Sequence, residues 1–158
     1  MKGVKYSNLR FSECNKTKFE FIHGNMLITL NLSTASLLRE RMFEPINFVF
    51  DTGSSITMFN RGTFTSLGYV HCQSLGKKKV FDASGNVILL TIYEIPGFTL
   101  AGGIKVVKPE ICVPDNPDIS GSNILGQNVI RKFHYCVNTV DNFLYFENHS
   151  NPAVQIED

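Results

Sequence analysis

Short apolar or alternating runs separated by turn residues repeat along the chain and most constrain its fold. The first pair, residues 19–22 and 26–32, flanks the turn residues His-Gly-Asn and is typical of a β-hairpin. Three further pairs show the same pattern, residues 80–81 with 87–93, 98–100 with 104–107, and 135–140 with 143–146. This succession of hairpins predicts an all-β domain.

The length of the chain sets the number of domains. Its 158 residues fit one domain with a sizeable core, and no linker or internal repeat divides them. We therefore predict a single domain over residues 1–158, with a core at about 19–147, an N-terminal extension at 1–18 and a C-terminal tail at 148–158. Residues 127–132 are predicted to form one short helix after Ile-Leu-Gly, and residues 33–41 are a further helix candidate.

Composition argues against several classes of partner. The formal net charge of +1 favours neither nucleic acid nor an anionic membrane surface. The basic run Lys77-Lys78-Lys79 is interpreted as a solvated loop after Gly76. No stretch approaches the roughly 20 apolar residues that span a bilayer, and the N-terminus is too polar for a signal peptide, so a cytoplasmic location is expected.

Cysteine and histidine spacing argues against a metal or redox site. Cys14, Cys72, Cys112 and Cys136 are widely scattered without a C-x-x-C pair, and the four histidines are equally dispersed. Neither a metal nor another cofactor is therefore expected.

One tripeptide, Asp51-Thr52-Gly53, has the surroundings of a buried loop rather than those of a surface turn. The runs Phe-Val-Phe before it and Ile-Thr-Met-Phe after it are apolar and β-prone, so they bury the base of the loop. A carboxylate in such a place needs polar partners. Gly53 allows close backbone approach, and Thr52 and Ser54 supply hydroxyls that can hold the carboxylate.

Together with a second segment, this loop resembles the aspartic peptidases, and specifically their retropepsin-like branch. Residues 48–55 are similar to the family's apolar–Asp-Thr/Ser-Gly-Ser/Ala catalytic loop. Ile124-Leu125-Gly126 is similar to the apolar-apolar-Gly segment that packs behind that loop and opens a short helix. The order of the two segments and their separation of about 75 residues also match. The resemblance covers roughly residues 26–146 in pattern and implies a small closed acid-protease-like β-barrel with a flap hairpin.

The number of catalytic loops decides the assembly that the resemblance implies. The pepsin-like branch carries two such loops in one chain of more than twice this length, whereas Asp51-Thr52-Gly53 occurs here once. A single copy implies a homodimer whose two-fold axis passes through the active site. In the family, the residue at the position of Thr52 reaches across the dimer to grip its counterpart.

The hairpin between the two segments falls where the family has its flap. Ala83, Ser84, Gly85 and Asn86 are its predicted tip, which would close over an extended peptide and exclude water. The turn at residues 101–103 is the alternative, although it lies further from the catalytic loop than the family spacing. Both segments are also compatible with plain β-turns.

The resemblance implies an aspartic endopeptidase that needs no cofactor. Two Asp51 carboxylates, one per subunit, would share a proton, so that one activates a water and the other hydrogen-bonds the peptide carbonyl. The expected partners are a second copy of the chain and a peptide or protein substrate. The alternatives are a catalytically inactive retropepsin-fold dimerisation or peptide-binding module, and an unrelated β-barrel binding protein.

Two positions depart from many retroviral members. There, an acidic residue two places after the motif glycine forms an ion pair with an arginine after the second motif's glycine, whereas this chain has Ser55 and Gln127. Because both charges are absent together, a polar contact can replace the pair without leaving a charge unpaired.

Overall fold

Turn residues and alternating apolar runs divide the chain into short strands. The structure, a computed structural model, describes residues 15–33, 43–100, 104–119 and 121–148. The strands in these residues are β1 (Lys16–Ile22), β2 (Asn25–Ser33), β3 (Phe43–Phe50), β4 (Ser74–Phe81), β5 (Val87–Glu94), β6 (Gly97–Thr99), β7 (Lys105–Val107), β8 (Glu110–Pro114), β9 (Ile124–Leu125), β10 (Phe133–Asn138) and β11 (Phe143–Asn148). The helical segments there are α1 (Arg61–Ser66), α2 (Gln127–Ile130) and the 3-10 helix Tyr69–His71. The prediction of a mostly β chain is confirmed.

The predicted hairpins correspond to antiparallel neighbours. β1 pairs with β2, β4 with β5, β6 with β7, and β10 with β11. The turn at residues 101–103 lies outside the described residues, and so does the helix candidate at 33–41 apart from Ser33, which ends β2. Of the predicted extension at 1–18, residues 16–18 belong to β1 and pair with β11, so they are part of the sheet.

Two sheets organise the described strands. The larger has the order β10-β11-β1-β2-β3-β9. In addition, β6 pairs with β2, and β7 pairs with β6. The smaller sheet has the order β4-β5-β8. All these pairs are antiparallel except β3 and β9, which run parallel. Met58 forms bridges both to Cys112 of β8 and to Ile124 of β9, so this one residue connects the two sheets.

The strand order of the described residues is open. Through Met58 it runs from β4 at one end to β10 at the other, and no pairing in this part of the chain joins those ends. The predicted closed barrel is therefore not seen among the described strands. No helix in the same residues has the length and apolarity needed to cross a bilayer.

One prediction about local structure was wrong, and one helix was not predicted. The basic run Lys77-Lys78-Lys79 lies within β4 rather than in a loop, because pairing along the whole length of β5 outweighs the low strand propensity of lysine. The structure has the helix predicted after Ile-Leu-Gly as α2, over Gln127–Ile130, and it also has α1, which was not predicted. Its sequence, Arg-Gly-Thr-Phe-Thr-Ser, contains few strong helix formers, so its formation depends on its cap and on burial of Phe64.

Aromatic side chains fill the core between α1 and the strands around Asp51. Phe48 and Phe59 are buried and meet edge to face, with ring centroids 5.2 Å apart. Tyr69 is buried beside Phe64, and its hydroxyl donates to the carbonyl of Ser33. Burial raises the pKa of the Tyr69 hydroxyl, so it remains a neutral donor. The strand end that carries Asp51 therefore rests on a packed aromatic layer.

The cap of α1 gives a testable contribution to stability. The Asn60 side-chain oxygen accepts the Thr63 backbone N–H at 2.8 Å, and its Nδ2 donates to the Gly121 carbonyl at 3.1 Å. Asn60→Ala is expected to lower the free energy of unfolding by about 1 kcal/mol, as loss of an N-cap does. Urea denaturation measures this change. Asn60→Ser loses the same amide donor but keeps a capping acceptor, so it should lose less, and equal losses for both variants would show that the cap contributes nothing.

Candidate active site

Asp51 lies directly after β3, where the chain leaves the sheet. Phe50 pairs with Leu125 of β9, and the Asp51 N–H donates to the Leu125 carbonyl at 3.0 Å, which continues the parallel ladder by one residue. The chain then turns, and the Ser54 N–H donates to the Asp51 carbonyl at 3.2 Å. The loop thus begins at a strand end that is fixed by backbone hydrogen bonds on its β9 side.

The Asp51 carboxylate is oriented by its own loop. Its Oδ1 accepts the Gly53 backbone N–H at 2.9 Å. A Cβ atom at Gly53 would lie only 3.2 Å from that oxygen, so a larger residue would crowd the carboxylate. Asp51 is half-buried, whereas Thr52 and Gly53 are exposed. A carboxylate that is held by backbone and still open to solvent can accept a proton from a bound water or ligand.

The second predicted segment packs directly against this loop. A Cβ atom at Gly126 would lie 1.9 Å from the Ile56 carbonyl oxygen, so only glycine fits between β9 and the loop. The backbone N–H of Gln127 donates to the Ser54 carbonyl at 2.7 Å, and the side-chain Nε2 of Gln127 donates to the Thr52 carbonyl at 2.9 Å. Gln127 therefore makes a polar contact within the chain at a position where many retroviral enzymes have arginine.

Thr57 and Asn128 form a buried connection that sequence reasoning missed. The Thr57 hydroxyl donates to Asn128 Oδ1 at 2.7 Å and accepts the Gly126 N–H at 3.1 Å. Asn128 Nδ2 donates in turn to the Glu110 carbonyl of β8 at 2.9 Å. The available signal was a single polar residue inside the apolar run Ile-Thr-Met-Phe, because a buried hydroxyl needs a partner. These bonds fix the position of the loop against both β8 and α2.

Asn123, also missed, connects the residue before β9 to α1. Its Oδ1 accepts the Asn60 N–H at 2.8 Å, and its Nδ2 donates to Thr63 Oγ1 at 3.0 Å. Its carbonyl accepts the Val49 N–H at 2.8 Å. Asn123 is 6% exposed, so these bonds satisfy a buried amide and hold β3, β9 and α1 together.

Strand register places a row of apolar side chains on the same face as Asp51. Val49 pairs with Ile124, and Met58 pairs with both Ile124 and Cys112. Directly paired residues share a face of a sheet, and Asp51 lies two residues after Val49, so it shares that face as well. We call the face formed by Val49, Met58, Cys112, Ile124 and Asp51 the aspartate face.

The opposite face of the same strands belongs to the core. Phe48, Phe50, Phe59 and Leu125 alternate with the residues of the aspartate face and are part of the main hydrophobic cluster. Val49 and Cys112 are buried but are not part of that cluster. The aspartate face is therefore a second, separate apolar surface with a carboxylate at its edge.

The predicted flap tip is a tight polar turn. Asp82 Oδ1 accepts the backbone N–H groups of Ser84 at 2.9 Å and Asn86 at 2.8 Å, and the Gly85 N–H donates to the Asp82 carbonyl at 3.0 Å. Residues 83–86 are exposed. The hydrogen bonds described for this turn stay within it, and none of them joins the tip to the Asp51 loop.

The tip is expected to lose order in strong acid. Hydrogen bonds from the Asn86 backbone, and then from the Asn86 side chain and the Ser84 and Gly85 backbone, hold the pKa of the Asp82 carboxyl below its ordinary value. The stabilisation is therefore complete above the ordinary carboxyl pKa and is lost as pH falls through the lowered pKa. NMR titration of the Ser84 and Asn86 amide signals measures this midpoint. Asp82→Asn should remove the transition, and a midpoint at the ordinary carboxyl pKa would contradict the prediction.

The structure thus brings some predicted site residues together and leaves others apart. Residues 51–54 and 124–126 are joined by backbone hydrogen bonds and by the close approach at Gly126, while Ala83 to Asn86 lie at the tip of the β4–β5 hairpin, with no described hydrogen bond to them. Among the residues that the structure describes, no group of three or more His, Cys, Asp or Glu side chains is arranged to hold a metal ion.

The fold of the chain is similar to that of a protein whose crystal structure has been solved. The crystal structure of a retropepsin-like aspartic protease from Rickettsia conorii matches it with a TM-score of 0.54, over 83% of this chain and 87% of that chain. The two sequences are 13% identical, so the similarity concerns the fold. No protein-family model and no curated protein matches the sequence at a significant level.

Proposed function

We propose that the chain is one subunit of a homodimeric aspartic endopeptidase, in which Asp51 from each subunit forms the catalytic pair. The observation that carries the proposal is that backbone hydrogen bonds fix the position of the Asp51 carboxylate. The β3–β9 ladder and the Gly53 N–H hold a half-buried carboxylate at the edge of the aspartate face. The similarity to a retropepsin-like fold supports the same interpretation independently.

The single copy of the motif is the argument for a dimer. Peptide hydrolysis by this chemistry needs two carboxylates within hydrogen-bond reach, and the sequence has one Asp51-Thr52-Gly53 loop. A two-fold axis beside the exposed Thr52 would bring the second Asp51 from another copy. Thr52 would then contact its counterpart and hold the two loops in register.

The two aspartates would divide the chemistry between them. Two carboxyl groups so close cannot both ionise easily, because two negative charges would repel each other. The pair would therefore hold one proton. The ionised Asp51 would take a proton from a water as that water attacks the peptide carbonyl carbon. The protonated Asp51 of the other subunit would donate a hydrogen bond to the carbonyl oxygen as negative charge develops there. Collapse of the intermediate, with proton transfer to the nitrogen, would release the two peptides.

The aspartate face supports a peptide as the ligand. Met58 and Ile124 are half-buried and lie beside the buried Val49 and Cys112, so apolar side chains of an extended peptide would meet Met58 and Ile124 next to the carboxylates. The β4–β5 hairpin, with Ala83, Ser84, Gly85 and Asn86 at its tip, would act as the flap and exclude water from the bound peptide.

Cleavage of a peptide library between acidic and neutral pH tests the proposal. We expect endoproteolytic products, full inhibition by a peptide with a statine-type hydroxyl that mimics the tetrahedral intermediate, and no loss of activity with chelators. Cleavage that resists the mimic and requires a metal would contradict the mechanism. Tight binding of the mimic without any cleavage of peptides would favour the catalytically inactive peptide-binding module instead.

A further inference from the structure

The two faces of the β4–β5 hairpin differ in what they contact. The ring centroids of Tyr93 and of Phe64 in α1 lie 4.5 Å apart, and Lys77 Nζ donates to the buried Thr91 Oγ1 at 2.8 Å. Lys77 also pairs with the Asp115 carboxylate at 2.8 Å, and this interaction holds the pKa of that carboxyl below its ordinary value. These contacts define the face of the hairpin that turns toward α1 and the core.

The other face of the hairpin is continuous with the aspartate face. Ile92 of β5 pairs with Cys112, which pairs with Met58. Leu90 lies two residues before Ile92 and pairs with Lys78 of β4. Because paired residues share a face and strand side chains alternate, Lys78 stands on the same face as Asp51. Lys77 and Lys79 stand on the opposite face.

Lys78 is the cation on this side of the hairpin. It is exposed, and no hydrogen bond or ion pair is described for it, in contrast to Lys77. Its charge nevertheless reaches the apolar surface. Burial raises the pKa of the Cys112 thiol, the positive charge of Lys78 opposes that rise, and the negative charge of Glu110 adds to it. By strand register, the Lys78 side chain therefore stands on the same face as Leu90, Ile92 and Cys112, and none of the hydrogen bonds or ion pairs described for β4 and β5 involves its amine.

We propose that Lys78 is a specificity-determining residue that selects an acidic side chain in the bound peptide. The inference rests on the proposed function, because it takes the aspartate face as the peptide-binding surface. A peptide carboxylate that reaches Lys78 would form a new ion pair beside apolar surface, partly shielded from water once the peptide lies over it. In a homodimer, the second Lys78 would select a second acidic position on the other side of the scissile bond.

Protection of a sheet edge is the alternative explanation for these lysines. β4 lies at the end of the described strand order, and lysines on edge strands discourage pairing with other chains. That role does not depend on the face that a lysine occupies, so it predicts the same effect for substitutions of Lys78 and Lys79. Substrate selection concerns Lys78 alone. Lys79, one residue away on the same strand, is therefore a matched control.

Binding of peptides to the full chain with Asp51→Asn tests the inference without requiring catalysis. The probes are fluorescent extended peptides that are identical except for Glu, Gln or Lys placed at each position in turn. We expect one or two positions at which the Glu peptide binds about fivefold more tightly than the Gln peptide, a preference that weakens at high salt. Lys78→Gln should remove this preference, and Lys78→Glu should reverse it toward the Lys peptide. The same changes at Lys79 should have no effect.

The outcomes separate this inference from the proposed function. Equal effects of the Lys78 and Lys79 variants, or no charge preference at any position, would overturn the role of Lys78 even if the unmodified chain cleaves peptides. A preference that reverses with Lys78→Glu would establish that role even if the unmodified chain cleaves nothing, a result that would overturn the proposed endopeptidase. Failure of every peptide to bind would overturn the role of Lys78, and it would overturn the endopeptidase only if the unmodified chain also cleaves none of them.

Discussion

Asp51→Asn is expected to lower kcat/KM for every cleaved peptide by about three orders of magnitude or more, because an amide cannot serve as the general base. The fold should survive the change. The side-chain oxygen of the substituted asparagine can still accept the Gly53 N–H that now binds Asp51 Oδ1 at 2.9 Å. Steady-state cleavage measures the activity, and an unchanged circular dichroism spectrum and urea midpoint show that folding is intact. Residual activity close to that of the unmodified chain would remove Asp51 from the mechanism.

Mixing the two forms tests whether the site is shared between subunits. If subunits exchange at random in an equal mixture, about one quarter of the dimers carry two copies of Asp51. Activity should then fall to about one quarter at constant total protein, because a dimer with one aspartate lacks half of the catalytic pair. A fall to one half would mean that each subunit acts alone. Mass spectrometry under native conditions confirms that mixed dimers have formed.

Gly126→Ala is expected to destabilise the fold by about 3 kcal/mol or more, as overpacking against atoms that cannot move aside does. The added Cβ would meet the Ile56 carbonyl oxygen at 1.9 Å, the Ile56 carbonyl carbon at 2.4 Å and the Ser54 carbonyl oxygen at 3.0 Å. All three are backbone atoms of the Asp51 loop, so β9 and the loop must separate. Urea denaturation measures the loss, and activity should fall with it because Gln127 would no longer reach Ser54.

Gly121→Ala is the matched control for this substitution. Nothing lies within 4 Å of a Cβ atom at Gly121, and its backbone conformation does not require glycine. Stability should change by less than about 0.5 kcal/mol, as for an ordinary surface substitution. Similar losses for the two variants would show that the close approach at Gly126 is not what limits the residue at this position.

The hairpins and the Asp51 loop could be predicted because their signals are local. Alternating side chains and turn residues predict strands within a few positions, and the residues flanking Asp51 predict the strand that ends there. Helix α1 was missed because its signal is weak. Asn60 is a good capping residue, but Arg-Gly-Thr-Phe-Thr-Ser has low helix propensity, and the burial of Phe64 that compensates is a tertiary effect.

The supports of the site could not be predicted because their partners are distant in sequence. Thr57 and Asn128 lie 71 positions apart, and Asn60 and Asn123 lie 63 apart. Composition does not say which buried polar groups will meet. The face of the sheet on which Lys78 stands could not be predicted from the sequence either. A run of three lysines is typical of a solvated loop, and only the register with β5 shows that neighbouring lysines point to opposite faces.

Leu125 and Gln127 bond to the Asp51 loop through backbone atoms of the loop, namely the Asp51 N–H and the carbonyls of Thr52 and Ser54. The side chain of Thr52 is exposed, and none of the described hydrogen bonds uses it. The residue at position 52 could therefore change without altering the shape of the loop that carries Asp51. If two copies meet there as proposed, the strength of their association could be adjusted separately from the geometry of the carboxylate, so that the concentration at which the protein becomes active would shift while its chemistry stayed the same.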